Sequence, residues 1–129
     1  MIAVDTNVVV RLLTRDDEAQ FQKSFALFDS HDVFIPDTVI LESEWVLRYA
    51  YDFEAITICK ALTRLFGLPN VHLSNPVLLV QAIEWHLQGM DFADALHLSQ
   101  CQQSNQLFTF DNHFIHKADG VSQCQVLKP

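Results

Sequence analysis

The chain is restricted most by a recurrence of short, β-type apolar runs separated by long stretches of helical character. Ile2-Ala3-Val4, Val33-Phe34-Ile35, Val71-His72-Leu73 and Leu107-Phe108-Thr109-Phe110 are the strand-like runs. Val8 to Leu13 follows the first and reads as helix. Asp16-Asp17-Glu18 then puts acids in a first helical turn ahead of Phe21, Phe25 and Phe28, a spacing that makes one apolar helix face. After the second run, Pro36-Asp37 leads into a helix with Leu41, Trp45 and Tyr49 at spacing four, a stripe expected to face the core. Asp52 is placed to cap a further helix carrying Ile56, Cys59, Leu62 and Phe66, and Gly67 with Pro69 stops it. Asn75-Pro76 opens the next helix, with Val80, Ile83 and Leu87 continuing the pattern to Gly89. Asp91 to Gln103 is the last expected helix. Such alternation predicts an α/β fold, a parallel sheet covered by helices on both faces, in which ligands sit beyond the carboxyl ends of the strands.

With 129 residues, half of them hydrophobic, and no polar linker, the expectation is one domain over 1–129. A core of that size needs no disulfide or structural metal. Cys59, Cys101 and Cys124 are odd in number and widely spaced, so they read as small hydrophobes and not as a framework or a CxxC site. Apolar runs such as Val8-Val9-Val10 are far short of the roughly 18 residues of a membrane span. The start lacks the basic region of a signal peptide, so a cytoplasmic location is expected. Sixteen acids against eight Lys and Arg leave a charge of −8, which opposes binding of a polyanion through a basic face. A nucleic-acid function then requires a divalent cation, held by some of the surplus carboxylates, to invert the local field.

Two acids lie where the strand-end rule points: Asp5 after the first run and Asp111 after the last. Asp94 falls in the first turn of the helix before that last strand, and Glu42 one turn into the helix after the second. Four carboxylates in one crevice raise one another's pKa and need a counter-charge. All-oxygen ligation without a Cys or His cluster points to Mg²⁺ or Mn²⁺, and from there to metal-assisted hydrolysis of a phosphodiester. Arg11, Arg15 and Arg48 are available for flanking phosphates. Singly, each acid has a plainer reading: Asp5 an Asx-type turn, Asp111-Asn112 a turn pair, Asp91 with Asp94 a capped helix start. Convergence favours chemistry for all but Asp91. A phosphatase using Asp5 as nucleophile would want a second acid where Asn7 stands, and a receiver domain would want paired acids and a late lysine that are absent.

Val4-Asp5-Thr6-Asn7, Val39-Ile40-Leu41-Glu42 with Trp45-Val46-Leu47-Arg48, Asp91-Phe92-Ala93-Asp94-Ala95-Leu96 and Thr109-Phe110-Asp111 together resemble a PIN domain, and more closely the VapC-type toxin ribonucleases. The resemblance runs over the whole length with the motifs in family order. It implies a three-layer α/β/α fold with a central parallel sheet and an RNase site dependent on Mg²⁺ or Mn²⁺. By the same resemblance Asp5, Glu42, Asp94 and Asp111 are the catalytic, metal-holding acids, with Asp91, Asn7 and Thr109 supporting. A homodimer and a VapB-like antitoxin as protein partner are also implied. Glu44 rivals Glu42 as the ligand; if Trp45 and Tyr49 face the core, so does Glu42, and Glu44 points elsewhere. His113 after Asp111 is a possible substrate contact. The alternative function is a PIN-like module that has lost catalysis and only binds a protein partner.

Overall fold

A computed structural model describes residues 1–129. Its contacts divide into two compact units, Met1–Pro76 and Val77–Pro129.

The first unit runs β1 (Ile2–Ala3), α1 (Thr6–Thr14), α2 (Glu18–Ser30), β2 (Val33–Phe34), α3 (Asp37–Tyr49), α4 (Ala55–Phe66) and β3 (Val71–His72). The strands form one parallel sheet in the order β1-β2-β3, with Ile2 beside Val33 and Val33 beside Val71. A helix pair forms each crossover, as parallel neighbours require. The ladder frays beyond the strand ends through Val4 N–H to the Phe34 carbonyl (3.3 Å) and Ile35 N–H to the His72 carbonyl (3.0 Å). Val9, Val10, Val33, Ile35, Ile40, Leu47, Ile58 and Leu62 are essentially inaccessible. Each such burial contributes on the order of 1.5–3 kcal/mol.

Helix ends follow the chemistry of their caps. Asp5 caps α1 by accepting from Val8 N–H (3.3 Å), and Asp17 caps α2 by accepting from Gln20 N–H (3.0 Å). The cap expected of Asp52 is not made. Asp52 is itself in the left-handed region at φ 56°, and Glu54 precedes α4 without a side-chain cap bond.

The expected α3 stripe is corrected more sharply. Ile40, Ser43, Glu44 and Leu47 are the buried residues, while Trp45 and Tyr49 are 55% and 63% exposed. Two stripes compete on this helix, and the aliphatic one wins because Glu44 can enter it paired with Arg48. Similar rotations occur elsewhere: Phe28 is buried but Phe25 is not, and α4 buries Ile58, Cys59, Leu62 and Leu65 while Ile56 is exposed.

The second unit runs α5 (Pro76–Leu87), α6 (Phe92–Gln100), β4 (Gln106–Phe108), α7 (Asn112–Ala118) and β5 (Gln125–Leu127). Strands β4 and β5 pair in parallel, Leu107 beside Val126, and Thr109 N–H extends the ladder to the Leu127 carbonyl (2.9 Å). On α5 the buried side chains are Leu79, Ala82, Ile83 and Trp85, with Val80 and Leu87 exposed. Every strand pair in the protein is parallel and joined through helix, the α/β architecture expected. All three cysteines are free, and Cys59 and Cys124 are buried. No helix is long and apolar enough to cross a membrane.

Candidate active site

In Met1–Pro76 the site begins where β1 ends. Asp5 is exposed at the N-terminus of α1, its Oδ1 on Val8 N–H and its other carboxylate oxygen without a partner in the fold. Thr6, the next residue, is buried, and its Oγ1 donates a short hydrogen bond to Oε1 of Glu42 on α3. Glu42 is thus tied to the residue that follows Asp5, across a sequence separation of 36. The sequence offered one clue to this hydroxyl, its position directly after the first acid, and nothing that pointed it at Glu42.

Glu42 and Glu44 have opposite environments. Glu44 is 1% exposed and held by two hydrogen bonds from Arg48, from Nε at 2.8 Å and Nη2 at 3.1 Å. A carboxylate so paired is structural; Glu42 is the one on the exposed face. The outward reading of Glu44 is therefore reversed, and so is the inward one for Glu42.

The three arginines are occupied. Arg48 serves Glu44, and Arg11 binds Asp16 (3.1 Å), Gln20 (2.6 Å) and the Tyr51 hydroxyl (2.9 Å). Arg15 holds Glu18 down to about 2 and lies 4.2 Å from the Phe21 ring centroid. Asn7 is exposed on the first turn of α1 and lines a shallow groove with Arg11, Gln20 and Lys23.

In Val77–Pro129 three acids interact. Asp91 caps α6, its Oδ2 3.4 Å from Asp94 N–H, and Asp111 caps α7, its Oδ1 accepting from His113 N–H (2.9 Å) and Phe114 N–H (3.2 Å). Thr109 Oγ1 accepts from Asp111 N–H (3.1 Å) and so shapes the turn that presents this acid. The Asp94 carboxyl is raised above its ordinary range, first by burial and then by the charges of Asp91 and Asp111, with His97 and His113 pulling the other way. His97, which stands at no ligand spacing in the sequence, lies close enough to affect Asp94. Within neither unit do three His, Cys, Asp or Glu side chains gather closely enough to hold a metal ion.

A PIN-domain family model matches residues 2–120, from the strand before Asp5 to the end of the helix that Asp111 caps. The chain belongs to the PIN-domain family. No curated protein sequence matches it. Among solved structures, this PIN domain is similar to the crystal structure of VapC20 from Mycobacterium tuberculosis, a sarcin-ricin-loop-cleaving toxin. Identity there is 22% and the TM-score 0.44, over 97% of this chain and 99% of that one. Family membership rests on the domain match. The donors this PIN domain offers are carboxylate oxygens, which suit a hard divalent cation. Asp94, raised by neighbouring anions, is the kind of group such a cation would relieve.

Proposed function

We propose that this PIN domain is a Mg²⁺- or Mn²⁺-dependent endoribonuclease, the toxin of a toxin–antitoxin pair. Asp5, Glu42, Asp94 and Asp111 would hold the ion. Asp91, Asn7 and Thr109 would support them. The observation that carries the reading is the crowding of Asp94 by Asp91 and Asp111, with no ion-pair partner for Asp94 or Asp111 in the fold. Structural acids in the same chain are handled differently: Asp16, Glu18 and Glu44 each have an arginine. A divalent ion, when bound, supplies positive charge that neutralises the carboxylates and polarises a phosphodiester and its attacking water.

The chain's own groups do the positioning. Asp5 and Asp111 each spend one oxygen on a helix N-terminus and keep the other for a ligand. Thr6 fixes the rotamer of Glu42, and Thr109 fixes the backbone of Asp111. Arg11, Arg15 and Arg48 brace carboxylates in the resting protein, so a phosphate role for any of them would first require breaking those bonds. A VapB-like antitoxin, a homodimer and a cytoplasmic location belong to the same reading.

The test is cleavage of a mixed RNA pool by the purified protein, free of any copurified partner, with Mg²⁺, with Mn²⁺ and with EDTA, beside Asp94→Asn prepared identically. Cleavage should require the ion and fall by about a hundredfold or more in the variant. Absence of cleavage with either metal would sink the proposal and favour a module that only binds a partner.

A further inference from the structure

Trp45 and Tyr49 on α3 have no role in the metal site, yet both are more than half exposed. Their ring centroids lie 5.0 Å apart at an interplanar angle of 46°. Arg48 stands over the Tyr49 ring at 4.6 Å from its centroid, with Nη1 3.2 Å from the Tyr49 hydroxyl. Its Nε and Nη2 are anchored on buried Glu44. The aromatic pair is therefore braced from within the helix, and surface fixed in advance loses little entropy on binding.

Position along the helix supplies the second part of the argument. Glu42, Trp45 and Tyr49 are spaced i, i+3, i+7, so they share one face of α3, and all three are exposed. The aromatic surface begins about one helical turn, roughly 5 Å along the axis, from Glu42. The chain carries −8, and Arg48, the cation on this stretch of α3, is already tied to Glu44, so it is not free to hold a phosphate there. Stacking of bases on aromatic rings does not depend on such charge and is how single-stranded RNA is commonly held. The two rings, about 150–250 Å² each, fall short of the roughly 800 Å² per partner that a stable protein interface uses.

We propose that Trp45 and Tyr49 form a stacking subsite for an unpaired nucleobase of the RNA, beside the phosphodiester at the ion that Glu42 would hold. It rests on the nuclease reading above, and stacking there requires a base free to splay out.

The experiment measures binding of a mixed-sequence single-stranded RNA in EDTA at about 0.15 M salt, where cleavage is absent and repulsion between like charges is screened, against an abasic ribose-phosphate chain of equal length. Wild type should bind the RNA with quenching of indole fluorescence from exposed Trp45, since Trp85 is buried. Trp45→Ala and Tyr49→Ala should weaken the Kd roughly tenfold or more, with Trp45→Phe close to wild type. The abasic chain should bind wild type as weakly as RNA binds Trp45→Ala, with no further loss when the two changes are combined. Mn²⁺ affinity should not move in any of these variants. Four results would overturn the subsite: no RNA binding by wild type; unchanged RNA affinity in Trp45→Ala; equal loss on the abasic chain; or a change in oligomeric size with RNA affinity unaltered. Failure of the nuclease reading is seen separately, as absence of cleavage with Mg²⁺ or Mn²⁺ while base-dependent binding persists in EDTA.

Discussion

In Met1–Pro76 the acids have partners: Glu44 with Arg48, Glu18 with Arg15, Asp16 with Arg11 and the Tyr51 hydroxyl, Glu42 with Thr6. In Val77–Pro129 the only Lys or Arg residues are Lys117 and Lys128, against Glu84, Asp91, Asp94, Asp111 and Asp119. There Asp94 is buried enough, and close enough to two other anions, for its carboxyl to be raised. The contrast sets Glu44, Glu18 and Asp16, which build the fold, against Asp94 and Asp111, which the proposed function keeps for a ligand. A structural acid finds an arginine within the chain, whereas no Lys or Arg pairs with Asp94 or Asp111.

The contrast is broken most forcefully at Arg48. Arg48→Met leaves Glu44 buried without its cation and should destabilise the protein by about 2–3 kcal/mol. Glu42→Gln, two residues from Glu44, should leave stability within roughly 0.5 kcal/mol. Urea denaturation of the two variants checks both. Equal losses would mean that Glu42 is as structural as Glu44.

Thr6 sharpens the comparison from the other side. If its hydroxyl holds Glu42 for a ligand, Thr6→Val should lower Mn²⁺ affinity by about tenfold or more, as loss of a group that orients a ligand does, and Thr6→Ser should restore most of it. A hydroxyl that serves only the packing of α1 on α3 would change the melting temperature and leave the Mn²⁺ titration of the folded protein alone.

The smallest effect is expected at Asp94 in the metal-free protein. A raised carboxyl is protonated more readily in the fold than in the unfolded chain, so its contribution is most favourable in acid and is lost as pH rises through the raised value. Asp94→Asn should then melt a few degrees higher than wild type at neutral pH, and the gap should close below about pH 4. Thermal melts in EDTA across that range give the answer. A variant less stable than wild type at neutral pH would mean that the pull of His97 and His113 outweighs burial and the two neighbouring anions.

Much of this was legible in the residues. Alternation of short strands with helices and the cap at Asp91 are local signals, and the structure has them where the spacing put them. Asp5 and Asp111, read singly as turn residues, cap helices, and the helix after Asp111 gave no periodic signal of its own. Strand β5 was missed because Gln125-Val126-Leu127 has a single buried residue and no alternation to betray it. The α3 stripe was misread because Glu44 looks like a surface residue until Arg48, one turn away, is seen to neutralise it. Once Glu44 turns inward, Trp45 and Tyr49 must turn outward and Glu42 goes with them. The carboxylates themselves were identifiable one by one; the hydroxyl of Thr6 and the pull of His97 on Asp94 depend on tertiary placement that no spacing reveals.

The central proposal is that Asp5 and Asp94 are each needed to hold the divalent ion. Mn²⁺ titration of wild type, Asp5→Asn, Asp94→Asn and the double variant tests it most directly, because groups that act as a unit are not additive. Each single substitution should remove nearly all of the wild-type affinity, and the double variant should bind no more weakly than either single one. Wild-type affinity in either single variant, or losses that simply add, would contradict the account.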